Sequence, residues 1–558
     1  MPPRSEGEDK DDGEGRDPQA DGRLGRSALN EKDHGEDNDP EKSAQPAADP
    51  ADPLSLSVSH VLLLERTAPW PFFQDNAPRG ALSTAAREPV RIDSPSLIHF
   101  NTPMDSIGQN PSSAPSVSEL PRVLGVFSII GIVVGTMIGS GIFINPPNVA
   151  KVVGTPEIMM AVWIVGGLLT LFGALSLSEL GAAYSHAGGI YVYLREAYGP
   201  MVAFLFGWSL FIVIESGTVA SLAVGFSTKY LPYFVDLSPW QSKIVSIGLI
   251  LALAAVNYRG VRKGAGLMNF LMVIKFVALI GMCVLVFLLV KGTPRNFLSA
   301  PSGAGPAGNV LSNFGVALIA ALWAYKGWET SSYSAGEIRN AQKKLPVGLL
   351  LGIAAVVFLY IAANLAYLYV FPAPVMAESP HIAADVMQAA VGPVGASIIA
   401  LIILMSITGT CNGHLLTAPR VFYAMAKDGF FFRSMARVHP RYKTPHVAIV
   451  VLAAWGAVIC TSGTFEQLFT FVMFGYWIFM GLAVGGVIVL RKKRPGLPRP
   501  YKAWGYPVTP LLFILAMAFL TVNSLVRTFW NSFAGLGLIA AGIPVYFFWK
   551  ARGKKARA

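Results

Sequence analysis

Cysteine is scarce: three residues in 558, Cys283, Cys411 and Cys460, each inside an apolar stretch. They cannot build a disulfide framework or a zinc site with paired ligand spacing. Acidic residues become scarce once the first 121 positions are passed. Those positions hold 22 acids and 11 bases, and the 437 that follow hold 11 acids against 33 bases. Charged residues make up only 14% of the chain and hydrophobic ones 53%, with a mean hydropathy of +0.49. An ordinary soluble enzyme is excluded, and a polytopic membrane protein is indicated. There is also no Walker A, nucleophile elbow, HExxH or other paired-ligand spacing, so no catalytic residue, metal or cofactor is expected. The basic excess does not read as a nucleic-acid surface, because the bases sit in short loops between apolar runs.

The first stretch also lacks the basic n-region, apolar core and small-residue cleavage site of a secretory signal and is not expected to be one. From Met1 to about Pro53 the chain is rich in Asp, Glu, Gly and Pro without apolar periodicity, the composition of a disordered tail. Residues 1–121 therefore read as an acidic cytoplasmic tail, with Met104 as an alternative start of translation. Residues 122–550 read as the membrane domain and 551–558 as a basic cytoplasmic end.

What is present is a series of twelve apolar spans, each long enough for a hydrocarbon core of roughly 30 Å. They lie near 123–150, 156–183, 201–228, 241–258, 265–290, 309–336, 346–371, 393–424, 447–463, 467–490, 507–527 and 531–549. Of the 33 lysines and arginines after residue 121, 25, Arg420 among them, fall on the side carrying the N-terminus and six on the other, with Lys275 and Lys326 in mid-span. The positive-inside rule predicts a multi-pass protein of the cell membrane with both termini in the cytoplasm.

The first span is interrupted. Gly131 to Pro147, GIVVGTMIGSGIFINPP, places Gly135, Gly139 and Gly141 around the hydroxyl of Ser140. Lipid offers no partner to freed backbone groups, so a break is tolerated only where it faces protein or a water-lined cavity. Such a break exposes N–H groups that attract an anion and carbonyls that attract a cation. An amino acid carries both charges. Five spans later Trp323 to Glu329, WAYKGWE, again puts a glycine and polar groups in mid-membrane. Two interrupted helices at corresponding positions of two five-span halves predict an inverted repeat with its site at the midplane.

Away from the loops and span ends four charges remain: Glu215, Lys275, Lys326 and Glu329. Each costs roughly 2.5–3.5 kcal/mol on insertion scales and so should face the interior with a partner. Lys326 could pair with Glu329, three residues on, or with Glu215. Lys275 needs acceptors for three donors. Ser406 and Thr410 offer hydroxyls on one face of span 8, and with carbonyls of a broken helix they would hold a lysine where other transporters hold sodium. His414 could carry a proton, although a buried histidine is more often only hydrogen-bonded in a packed interior. Glu179 reads as a tie between helices, and Glu337 to Pro346 as an inner gate or loop anchor.

GTMIGSGIF in span 1, SELG closing span 2, WAYKGWE followed by AGEIRNAQKKLP around span 6, and TAPRVFYAMAKDGFF after span 8 resemble the amino acid-polyamine-organocation (APC) superfamily. The likeness is strongest to its L-type amino-acid transporter branch and bacterial relatives, and it covers about residues 120–550. It implies an all-α, LeuT-like fold of five plus five inverted helices with two peripheral ones. The backbone N–H groups of Gly139, Ser140 and Gly141 would receive the substrate carboxylate, and carbonyls near Met137 and Trp323 its ammonium. Trp323 would form an aromatic gate, and Tyr325, Lys326, Gly327 and Glu329 would line the site. Trp328, Tyr476 and Trp477 would sit at side-chain pocket and scaffold positions. Lys275 matches the lysine that replaces sodium in sodium-independent members, and Thr410 a hydroxyl beside it.

Lys326 departs from the branch, which has glycine there, and sets a cation beside the expected ammonium site. The loop Lys229 to Lys243 contains no cysteine, so the disulfide to a heavy chain found in animal members cannot form there. The expected partners are an amino-acid substrate and lipid. The reading is sodium-independent L-amino-acid transport by alternating access, as exchanger or proton-coupled permease. A cationic amino-acid or polyamine antiporter and a non-transporting amino-acid receptor are the alternatives.

Overall fold

A computed structural model describes residues 120–139, 141–298, 310–461, 465–527 and 529–555. The acidic tail, Met104 and Ser140 lie outside the described residues. Among these the chain is helical, and the only extended pairing is an isolated parallel bridge between Leu124 and Ile338.

Among the described residues, nine helices are long and apolar enough to cross a membrane: Pro156–Ala183, Pro200–Tyr233, Pro239–Tyr258, Val261–Leu289, Ala341–Val370, Pro393–Lys427, Phe474–Lys493, Val508–Val526 and Ser532–Gly553. They correspond to spans 2, 3, 4, 5, 7, 8, 10, 11 and 12. Span 9 is the shorter helix His446–Thr461, and spans 1 and 6 are each divided. Span 1 consists of Val126–Met137 and Gly141–Val153, and span 6 of Val310–Ala324 and the single turn Thr330–Tyr333. The protein is a multi-pass, all-α membrane protein.

Local sequence explains several starts. Thr155 accepts from the Ile158 N–H ahead of Pro156, and Ser238 with Gln241 forms a reciprocal capping box around Pro239. Proline at the first helical position costs nothing there, since its missing N–H would have had no partner. Within span 3 the backbone widens into a π-turn at Leu210–Ile214, immediately before Glu215.

Two sets of spans are each joined internally by hydrogen bonds. Spans 1, 2, 6 and 7 are joined through Thr136, which reaches the Gly327 carbonyl, through Tyr325, whose hydroxyl donates to the Trp163 carbonyl, and through Tyr360. Spans 3, 4, 8 and 9 are joined by Ser227 with Ser246 at 2.8 Å, Asn257 donating to Asn412 at 2.8 Å, and Trp455 donating to the Ile212 carbonyl at 2.9 Å. Glu179 anchors a third region, receiving Arg491, Arg499 and the Ala503 N–H.

Candidate functional site

The break in span 1 falls where Ile138 turns extended, at φ −94° and ψ 98°. The first half-helix presents its C-terminal carbonyls to this point and the second half presents the N-terminus that begins at Gly141. Carbonyl ends carry partial negative charge and N–H ends partial positive charge. Two opposite half-charges are thus within a few residues of each other.

The break in span 6 is built on Gly327, whose φ of +110° disfavours any side chain. A Cβ there would also lie 2.8 Å from the Thr136 carbonyl oxygen. The closeness is used: the hydroxyls of Thr136 and Thr330 stand 2.8 and 2.7 Å from the Gly327 carbonyl. On the other side of the same residue, the Gly327 N–H donates to Glu329 Oε2 at 3.0 Å. Tyr360 of span 7 places its hydroxyl 3.0 Å from the Ala324 carbonyl and 3.4 Å from that of Met137. One side chain therefore touches the ends of both interrupted helices.

Lys275 is 1% exposed. Its Nζ lies 2.6 Å from the Ile138 carbonyl, 3.2 Å from that of Gly135 and 3.2 Å from the Thr410 hydroxyl. Three donors meet three acceptors. The Ser406 hydroxyl stands 2.6 Å from the Gly139 carbonyl, and Thr410 bonds the Ile138 and Gly135 carbonyls as well. Gly409 makes room for the lysine, since a Cβ there would sit 3.0 Å from Cε and Nζ.

The remaining intramembrane charges divide between two partners that the sequence left open and two it did not name. Lys326 Nζ lies 3.0 Å from the Thr218 hydroxyl, over the rings of Trp323 and Tyr476 at 5.4 and 5.5 Å. It also stands within electrostatic reach of both Glu215 and Glu329. Glu215 itself is paired with His414, Oε2 to Nδ1 at 2.7 Å. Tyr476 is directed at Glu329 from span 10.

Met137, Gly139, Gly141, Trp323, Lys326, Gly327 and Glu329 thus collect around the two breaks. Tyr325 and Trp328 are buried against neighbouring spans. Tyr325 packs on Trp163 and Tyr360, and Trp328 meets Phe513 of span 11 edge-on. Sequence reasoning missed Thr136, Thr218, Thr330 and Tyr360, all hydroxyls in mid-span. It also counted Arg420 as a topological charge. Arg420 is buried and grips Glu337 with two bonds, 2.7 and 3.0 Å. The Glu337 carbonyl in turn accepts from the Val123 and Leu124 N–H groups at 2.8 and 2.9 Å. The loop after span 6 is therefore locked to the starts of span 1 and the end of span 8.

Interrupted helices facing each other across buried charge, within a multi-pass bundle, define a membrane transporter. The profile of the amino acid permease family matches residues 124–544, and the chain belongs to that family, within the APC superfamily. It is 33% identical over 444 residues to the human b(0,+)-type amino acid transporter 1, covering 78% of this chain and 89% of that one. It is 29% identical to the human cystine/glutamate transporter over 82% and 91% of the two chains. Against the serine/threonine exchanger SteT of Bacillus subtilis the identity is 30%, over 78% and 98%.

Proposed function

We propose that this permease carries L-amino acids across the cell membrane without sodium, by alternating access. The observation that carries the reading is the meeting of opposite helix ends. The carboxylate is received by N–H groups at Gly139, Ser140 and Gly141, and the ammonium by carbonyls near Met137 and Trp323. Lys275 supplies the fixed positive charge between spans 1, 5 and 8 that a sodium ion would otherwise provide. Spans 1, 2, 6 and 7 rock as one body against spans 3, 4, 8 and 9, and the two sets of hydrogen bonds support that division. The contacts that must yield are those between the sets: Lys326 with Thr218, Ser406 and Thr410 with span 1, and Arg420 with Glu337.

One relative, SteT, is an exchanger by name, which supports an exchange mode. All three cysteines of the chain are buried, which supports operation without a disulfide-linked heavy chain. Both termini are assigned to the cytoplasm on the distribution of basic residues.

Uptake of a panel of labelled amino acids into proteoliposomes tests the reading. Uptake stimulated by internal unlabelled amino acid and unchanged when choline replaces sodium is expected. Binding without uptake would defeat transport, and strict sodium dependence would defeat the role given to Lys275.

A further inference from the structure

Glu215 and His414 take no part in the contacts assigned to carboxylate, ammonium or Lys275, yet both are buried, 1% and 2% exposed. With a carboxylate 2.7 Å from Nδ1, that nitrogen carries the hydrogen and donates it. Nε2 is then the basic nitrogen. Among the described residues no group is hydrogen-bonded to Nε2.

Resting on the transport reading above, we propose that the Glu215–His414 pair is a proton-binding site that couples amino-acid movement to one proton. The proton adds to the Nε2 lone pair and forms an N–H bond. The pair passes from a net charge of −1 to zero, and no electrons are transferred.

Position makes this charge change consequential. The π-turn at Leu210–Ile214 ends directly before Glu215, and such turns re-aim the residues that follow, often at functional sites. Glu215 lies within electrostatic reach of Lys326, and Thr218, one turn further along span 3, holds the same ammonium. The pair belongs to the set of spans 3, 4, 8 and 9, whereas Lys326 belongs to the opposing set. An anionic pair draws Lys326 across the interface that must slide, and a neutral pair releases it. The other titratable groups facing Glu215 are Glu329 and Tyr333 from span 6 and Tyr476 from span 10. On span 8, His414 is one turn from Thr410, the ligand of Lys275. Proton occupancy is thereby connected to the breaks in both span 1 and span 6.

The test uses the full chain in proteoliposomes with the membrane potential clamped. A gradient of about one pH unit, acid outside, is expected to raise accumulation of a transported amino acid up to about tenfold, equivalent to about 1.4 kcal/mol per proton. His414→Asn, which keeps an amide donor at the position of Nδ1 for Glu215 but has no basic nitrogen, should lose that stimulation while exchange at equal pH continues. Wild-type exchange with no response to the gradient, or a full response in His414→Asn, overturns the proposal. Should the variant fail to fold, a lightly buffered medium gives an independent readout on the wild-type protein. Adding substrate should alkalinise it by one proton per molecule taken up, and uptake without alkalinisation overturns the proposal. Absence of both uptake and exchange in the wild type would sink the transport reading instead.

Discussion

Replacing Lys275 by methionine keeps an unbranched apolar stem, one atom shorter than lysine, and removes every donor. The Ile138 carbonyl retains two other hydroxyls within reach, those of Ser406 and Thr410. The Gly135 carbonyl does not: apart from lysine its side-chain donor is Thr410, which has one hydrogen to share between Gly135 and Ile138. The substitution therefore leaves one buried carbonyl unserved. Such a group costs about 1–3 kcal/mol, which is about a 5- to 150-fold loss in the population holding the break in its competent geometry. Initial rates of labelled amino-acid uptake into proteoliposomes should fall by that factor, with Lys275→Gln intermediate because its amide keeps two N–H groups. Thermal melting of the purified variants provides the folding control. Undiminished uptake by Lys275→Met at wild-type abundance would show that the ammonium does not organise span 1.

Gly327→Ala should abolish uptake, because φ is +110° and the added Cβ would approach the Thr136 oxygen to 2.8 Å; equal transport rates would refute the close approach. Arg420→Ala should destabilise the protein by about 3–5 kcal/mol, as expected when one member of a buried ion pair is left alone. The double change Arg420→Met with Glu337→Gln should melt closer to wild type than either single variant does, a comparison readable in detergent. Lys326→Gly should shift the substrate profile more than it lowers expression, as judged by competition with neutral, acidic and basic amino acids. An unchanged profile would leave Lys326 a structural residue.

Both breaks were legible because glycines interrupt runs that are otherwise apolar, and a bilayer allows that pattern few explanations. Each intramembrane charge was equally plain for the same energetic reason. Pairings were not legible. Glu215 and His414 are 199 residues apart, and the spans that carry them are apolar on nearly every face, so periodicity does not reveal which way a side chain points. Arg420 shows the opposite failure. Basic residues at span ends report topology so regularly that one folded inward to Glu337 looks no different in sequence. Hydroxyls such as Thr136 and Tyr360 were missed because threonine and tyrosine are ordinary in membrane helices, and only their convergence on the two breaks distinguishes them.

The burial of Cys283, Cys411 and Cys460 has an experimental consequence. A thiol shielded from water meets maleimide reagents slowly, so the native chain offers a quiet background for accessibility mapping without first removing its cysteines. A single new thiol at exposed Lys151, or at exposed Arg441 on the opposite side by charge count, could be labelled selectively in intact cells. The pattern of protection would read out sidedness directly, and repeating it with substrate present would follow the rocking of one half of the molecule against the other.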